Sequence, residues 1–545
     1  MRPSLCICSI ARMRMIKSGR RAARLRALLA LLALFAAGKG KCADASGATD
    51  PLLDLFIKKG YVTQEEAEKV KAEADYSRTN GLAGSLPAPS KWKISNGIKD
   101  VELFGDIRLR YEGRSVEDPK GGKIDLNRLR YALRLGLRGD AFDDFYYGFR
   151  IETSANPRSP WDTFGNSSSG PFGKSSAGIN VGQIYIGWHP EEWVNITLGK
   201  MPNPLYTTPM VWDADLNPEG AAERFKRPIG EADFFLTFGQ FIYQDTNPTH
   251  TSKGYFNPVN VNSSSLPFLL AWQGGVNYHI TPKVTFKVAP VLYQYTRFND
   301  GQSPTTTGYS PDFAGTYVGQ GQTFGVNGTP AAYNLAGGTP GFDGFYANQT
   351  GINNLLVLEF PFELNVKLEG LNLRLFGDYA QNLEGSDRAT AAYNAAHSQY
   401  FSISGPGGGT IDQIPSAQTH DNKAYQIGFD LGSSDLAYGP MQGLVYGNSS
   451  HAGDWEFRTY WQHIEQYALD PNLIDSDFFE GRENMQGLYA AFAYGFSDNV
   501  IGTIRYGYAS RINDKLGTGG SNQDIPQMNP INHYNLLQVD MAVRF

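Results

Sequence analysis

The stretch Leu537-Gln538-Val539-Asp540-Met541-Ala542-Val543-Arg544-Phe545 places an apolar side chain at every odd position and ends on an aromatic. Side chains alternate between the two faces of a strand. Leu537, Val539, Met541, Val543 and Phe545 therefore make one wholly apolar face, while Gln538, Asp540 and Arg544 point the other way. Such a strand suits a wall with hydrocarbon on one side and water on the other. A soluble edge strand has the same alternation, so the rest of the chain must decide between them.

The other end agrees with a membrane wall. Arg2, Arg12, Arg14, Lys17, Arg20, Arg21, Arg24 and Arg26 form a basic head, followed by the apolar run Ala27 to Ala37 and small residues up to Ala43-Asp44-Ala45. This reads as a secretory leader over residues 1–45. The apolar run is too short to span a bilayer as a helix, and no later stretch approaches the roughly 20 apolar residues that a spanning helix needs. Membrane residence would therefore be as a β-barrel. Cleavage after Ala45 removes Cys6, Cys8 and Cys42, all three cysteines, which excludes a disulfide scaffold and cysteine metal sites in the mature chain.

The leader also carries 10 of the 48 Lys and Arg and one of the 54 Asp and Glu, leaving 38 against 53, about −15 for the mature chain. That balance argues against nucleic-acid binding. The 61 Gly and 30 Tyr fit many strands with aromatic belts and glycine turns.

Residues 46–97 are different. Leu52, Leu53, Phe56 and Ile57 have helical spacing, and Gly60 ends that helix. Thr63-Gln64-Glu65-Glu66 then forms a capping box ahead of Ala67, Val70, Ala72 and Ala74. The segment reads as a short periplasmic helical stub, followed by a Ser, Gly and Pro linker. A helical hairpin packed near a barrel mouth and a tether to the cell wall are both compatible with it.

From residue 98 onward the chain parses as about sixteen strands of an all-β transmembrane antiparallel barrel, with long connections after odd strands and short turns after even ones. An even count returns both ends to the periplasmic side. The connection Ser433 to Gly453 breaks the rule by being long where a turn is expected, which leaves the count open by two.

The second strand carries the chemistry. In Asn127 to Arg138 the odd positions are Leu129, Tyr131, Leu133, Leu135 and Leu137, and four even ones are Arg128, Arg130, Arg134 and Arg138. The first strand repeats the device, with Ile107, Leu109 and Tyr111 outward and Asp106, Arg108, Arg110, Glu112 and Arg114 inward. An arginine on the lipid face costs about 2 to 4 kcal/mol at mid-membrane, so the register has little freedom. These arginines are expected to line the pore. A purely structural role, stiffening the wall against lumenal carboxylates, is the alternative.

The third long connection, Met201 to Gly220, carries Asp213, Asp215 and Glu219. Opposite an arginine wall it would set up a transverse field at a constriction. Asp213, Asp215 and Asn217 are also spaced like a calcium loop, but Pro218 stands where the turn glycine belongs and Arg224 where the bidentate Glu belongs.

Several segments together carry a family resemblance: GDIRLRYE at Gly105 to Glu112, NRLRYALRLGLRG at Asn127 to Gly139, LGK at Leu198 to Lys200, VWDADLNPEG at Val211 to Gly220, LRLFGDYAQN at Leu373 to Asn382, GDWEF at Gly453 to Phe457 and DSDF at Asp475 to Phe478. From about Val101 to Phe545 the chain resembles the "putative porins" of the bacterial outer membrane. The resemblance implies a 16-stranded passive channel for small hydrophilic solutes and ions, assembled as a homotrimer. In such a barrel the closing strand ending in Phe545 would be the part recognised by the barrel-assembly machinery.

Enzymatic signals are weak. Gly173-Lys174-Ser175 resembles the end of a phosphate-binding loop, but Ser168 stands where its first glycine belongs, and the histidines form no HExxH. No catalytic, cofactor-binding or metal-ligating residues are assigned. The expected partners are outer-membrane lipid and the permeant solutes.

Overall fold

The alternation seen in the last nine residues recurs around the molecule. The computed structural model describes residues 97–545, apart from 120, 155–158, 166–169, 174–177, 244–267, 297–322, 325–329, 332–353, 391–419, 434–450, 520–523, 526–527 and 529. The expected leader and the helical segment Pro51 to Ala74 lie outside those residues.

Sixteen antiparallel wall strands run in chain order among the described residues. The first five are β1 Glu102–Glu117, β2 Lys123–Asp140, β3 Phe145–Ser154, β4 Gly178–Glu191 and β5 Val194–Lys200. Next come β6 Glu219–Ile229, β7 Ala232–Ile242 and β8 Phe268–Thr281. Each of the next two is broken once: β9 is Val284–Val288 with Val291–Thr296, and β10 is Leu356–Glu359 with Phe362–Leu368. The remainder are β11 Leu371–Asn382, β12 Lys423–Gly432, β13 Trp455–Ile464, β14 Met485–Ser497, β15 Val500–Arg511 and β16 His533–Arg544. The two-residue strand Asp162–Thr163 extends the wall beside β2 beyond the end of β3.

The barrel closes between β1 and β16, from Asp106 opposite Arg544 to Glu117 opposite His533. Beyond that ladder the terminal residue adds two more bonds: Gly105 N donates to Phe545 O at 2.9 Å and Phe545 N to Gly105 O at 3.1 Å. Gly105 is needed there, because a Cβ on it would lie 2.5 Å from Arg134 O and 2.7 Å from the Phe545 ring. The long connection Ser433 to Gly453 does not change the count, since β12 and β13 pair directly from Ala424–Ile464 to Gly432–Glu456.

The register follows from the boundary between oil and water. Leu129, Leu133 and Leu137 on β2 and Leu103, Ile107 and Leu109 on β1 face outward and are exposed, while Arg108, Arg110, Arg130 and Arg134 are buried on the inner side. Rings gather at the short-turn rim, as an interfacial girdle requires. Phe145 stacks on Trp188 at 5.9 Å and Tyr494 meets Phe496 at 5.2 Å at the rim of the short turns. Tyr131 meets Phe164 at 4.9 Å beside the short strand Asp162–Thr163.

The breaks in β9 and β10 fall at Ala289-Pro290 and Phe360-Pro361, side by side in the wall. Proline has no N–H to give a ladder, so both strands kink at one level.

Candidate functional site

The inner face of the wall is an arginine and carboxylate lattice. Glu112 on β1 lies opposite Arg128 on β2 and accepts from its Nε at 2.7 Å; Arg114 Nε is 3.2 Å from the same carboxylate. Arg110 forks onto Asp540 of β16 at 2.8 and 2.9 Å, and Arg505 of β15 meets the same carboxylate. Farther round the wall, Asp430 of β12 accepts from Arg458 Nε at 2.8 Å and lies 2.7 Å from Arg374 Nη2. Period-two alternation places each of these groups inward, and closure of the barrel sets who meets whom. Arg110 and Arg130 lie directly opposite each other, a repulsive pairing. Trp161 offsets it, with its ring 4.0 Å from the Arg110 guanidinium carbon and 5.9 Å from that of Arg130.

The third connection, residues 201–218, folds inward and is anchored at the kinked part of the wall. Tyr206 N donates to Gln273 Oε1 at 2.9 Å, and Gln273 Nε2 donates to Tyr206 O at 2.8 Å and to Ala289 O at 3.2 Å, beside the break in β9. Thr207 Oγ1 donates to Glu359 at 2.7 Å and Thr208 Oγ1 donates to Asp378. Met201, Leu205, Met210, Val211 and Trp212 then pack into an apolar cluster inside the barrel.

A second inward segment joins the third connection: residues 465–484, between β13 and β14. Asp213 N donates to Leu473 O, and Asp475 N donates to Pro209 O at 3.0 Å, so the two connections are stitched in both directions. The Asp213 carboxylate accepts from Ser476 N at 3.2 Å and Ser476 Oγ at 3.1 Å. The 465–484 segment is tied in turn to the last connection through Arg482, whose guanidinium donates to the carbonyls of Thr518, Ile525 and Met528. Leu469, Leu473, Ile474, Phe478, Phe479, Ile525, Met528 and Ile531 share the apolar cluster with the third connection.

Between wall and connections lies a cavity of about 90 Å³, enough for several waters. Arg108, Arg110, Arg374, Arg458 and Arg505 line it from the strands. Asp213, Asp215, Asp475 and Asp477 line it from the two connections, with Asp540 from β16. Burial, with repulsion from Asp475 and Asp215, pushes the Asp213 carboxyl well above the usual range. Burial and the neighbouring Asp477 carry Asp475 up to about 7. Burial acts the same way on Asp477, but the Arg110 and Arg505 guanidiniums overcome it and hold that carboxyl below the usual range.

The residues singled out from the sequence separate here. Arg108 and Arg110 line the cavity, and Arg134 pairs with Asp215 of the third connection and with Glu152 of β3. Arg128 and Arg130 gather on Glu112. Arg138 lies near the short-turn end, half exposed, and forks onto Glu102 at 2.8 and 2.9 Å. Two expectations are corrected. Asp213 turns to Ser476 in place of the arginine wall, because its backbone is bonded to the 465–484 segment. Glu219 does not enter the lumen with its loop: it opens β6 opposite Lys200, whose Nζ is 2.6 Å from it across the β5–β6 ladder. Sequence reasoning assigned no role to Arg374, Arg458, Arg505, Asp475, Asp477 or Asp540. Arg374 and Asp540 stood in alternating stretches already quoted, so their inward direction was available, whereas their convergence was not.

Residues 120–545 match the family described as "Putative porin". No curated protein sequence matches the chain. Among solved structures, an anion-selective porin from Comamonas acidovorans is 9% identical with a TM-score of 0.37, covering 82% of this chain and 99% of its own. A Salmonella typhi OmpF complex with daunomycin is 10% identical with a TM-score of 0.39, covering 84% and 100%. The fold assignment rests on the strand pairing described above and not on these two likenesses.

Proposed function

The chain belongs to the "Putative porin" family and is a channel-forming outer-membrane porin, and from that premise we propose that small hydrophilic solutes and ions cross it by passive diffusion past an arginine wall opposed by carboxylates of the third connection. The observation that carries this reading is the cavity with strand guanidiniums on one side and Asp215 of the third connection, paired with Arg134, on the other. Fixed charges of opposite sign across a narrow aqueous passage make a transverse field, which orders water and sorts solutes by charge and dipole. Guanidinium is weakly hydrated and donates in a planar fork, so contacts with carboxylate or phosphate solutes form and break without large desolvation cost. In this reading the N-terminal stub lies in the periplasm and three copies assemble in the membrane.

Planar-bilayer recording of refolded protein under a salt gradient tests the proposal. Stable open channels are expected. Replacing Arg130 and Arg134 by Gln is expected to move the reversal potential toward cation preference, and replacing Asp215 by Asn to move it toward anions. A fully β-structured protein with no conductance and no solute uptake in liposomes would overturn the channel; open channels with no shift from either change would assign the ladder to structure alone.

A further inference from the structure

The third connection is only half of what faces the wall arginines. The 465–484 segment contributes Asp475 and Asp477 to the same cavity, and Asp477 pairs directly with Arg110 of the wall. Its Oδ1 accepts from Arg110 Nη1 at 2.8 Å and from Gln538 Nε2 at 3.0 Å, and it lies 3.9 Å from Arg114 Nη2. Its backbone is fixed as well: Asp477 N donates to Asp475 Oδ1 at 3.2 Å, and Asp477 O accepts from Arg114 Nη1 at 3.1 Å and from the Tyr534 hydroxyl at 3.3 Å. The carboxylate is therefore held by β1, β16 and its own turn.

Exposure separates the carboxylates. The Asp477 side chain is 32% exposed, against 18% for Asp215 and 2% for Asp540. Asp540 is enclosed by Arg110 and Arg505, and Asp213 is turned onto Ser476. An ion in the cavity thus meets Asp477 more directly than the other carboxylates bonded to the arginine cluster.

We propose that Asp477, on the connection between β13 and β14, is the carboxylate that sets the charge preference of the channel, by offsetting Arg110 at the level where the two inward connections meet. This rests on the channel reading and adds a determinant outside the third connection. With Asp477 ionised, Arg110 is divided among Asp477, Asp540 and, at 3.7 Å, Glu112, and contributes little net positive charge to a passing ion. Removing the Asp477 charge leaves Arg110 with the enclosed Asp540, which it shares with Arg505, and with the more distant Glu112, and shifts the charge facing a passing ion toward positive.

The test is the permeability ratio of cation over anion for full-length refolded channels. A unit charge about 7 Å from an ion in aqueous surroundings changes that ion's Boltzmann weight about threefold. Because the cation and anion weights move in opposite directions, Asp477→Asn is expected to lower the ratio about sevenfold, while Asp477→Glu keeps it near that of the unaltered protein. Arg110→Gln is expected to raise the ratio, and Asp477→Asn added to Arg110→Gln to bring it back down. The last pair keeps the local charge balanced, so it gives a reading even if Asp477→Asn alone does not form a barrel. Conducting channels whose ratio is unmoved by Asp477→Asn, or by adding it to Arg110→Gln, would overturn the role of Asp477 while leaving the channel intact. Unaltered protein that opens no channels would instead overturn the channel reading on which this one stands.

Discussion

Along β2 the exposure alternates residue by residue: Leu129 is 53% exposed, Arg130 8%, Leu133 37%, Arg134 5% and Leu137 39%. Along residues 201–218 and 465–484 no such period exists; 205–208 are four consecutive buried residues, as are 210–213, and burial is almost continuous from 466 to 474. The wall is bounded by lipid outside and an aqueous lumen inside, so each residue is sorted by the side its Cβ takes. The inward connections have protein on nearly all sides. What orders them is specific bonding, such as Asp213 to Leu473 and Ser476, and apolar packing of Trp212 and Phe478 in one cluster. A wall strand is therefore held by its two-solvent pattern, whereas a connection is held by its particular bonds and its share of the apolar cluster.

The largest effect should come from breaking the wall pattern. Leu133→Arg puts a charge on the outer face next to Ile107, its partner across β1. A loss of about 2 to 4 kcal/mol in barrel stability is expected, read from denaturant unfolding in lipid vesicles. A cost near zero would mean that this face does not meet hydrocarbon.

The seam comes next. Gly105→Val forces a Cβ toward the Arg134 carbonyl and the Phe545 ring, and overpacking of that kind costs about 1 to 3 kcal/mol. The expected sign is a lower temperature for loss of the heat-resistant folded form on gels. Trimming the ring by Phe545→Ala in the same chain should recover part of the loss, since the ring is one of the two obstacles; the carbonyl remains.

The smallest effect concerns the connections and pH. Asp475 holds its proton up to about 7, whereas an ordinary aspartate releases it near about 4. Because the folded value is raised, the stabilising contribution of the protonated carboxyl is complete below about pH 4 and is lost as pH rises toward 7. Acidification from about pH 8 to about pH 6 should therefore tighten the seam between the two connections and remove one negative charge from the cavity. The reversal potential is expected to drift toward anion preference across that interval, and Asp475→Asn to abolish the drift. An undiminished drift in the variant would assign the titration to another group.

Much of the wall was legible from sequence because the rule that sorts it is local. The period-two pattern of Leu537 to Phe545, the paired arginine stretches at Arg108 to Arg114 and Arg128 to Arg138, and the alternation of long and short connections give the strands, their register and their inner and outer faces. The inward third connection could be anticipated only from the resemblance, and its acidic residues were not all placed correctly: Glu219 stays on β6 and Asp213 turns to Ser476. The pairing of charges was decided by tertiary structure. Arg110 and Asp540 are 430 residues apart and Arg110 and Asp477 are 367 apart, brought together by closure of β1 on β16 and by the folding of 465–484 into the lumen. No periodicity encodes such partners, because each side chain's direction depends on its own strand while its neighbour depends on how the sheet closes and which connection packs inside. The sequence by itself therefore determined which residues face water and which face lipid; only the closed barrel decided which guanidinium each carboxylate would meet.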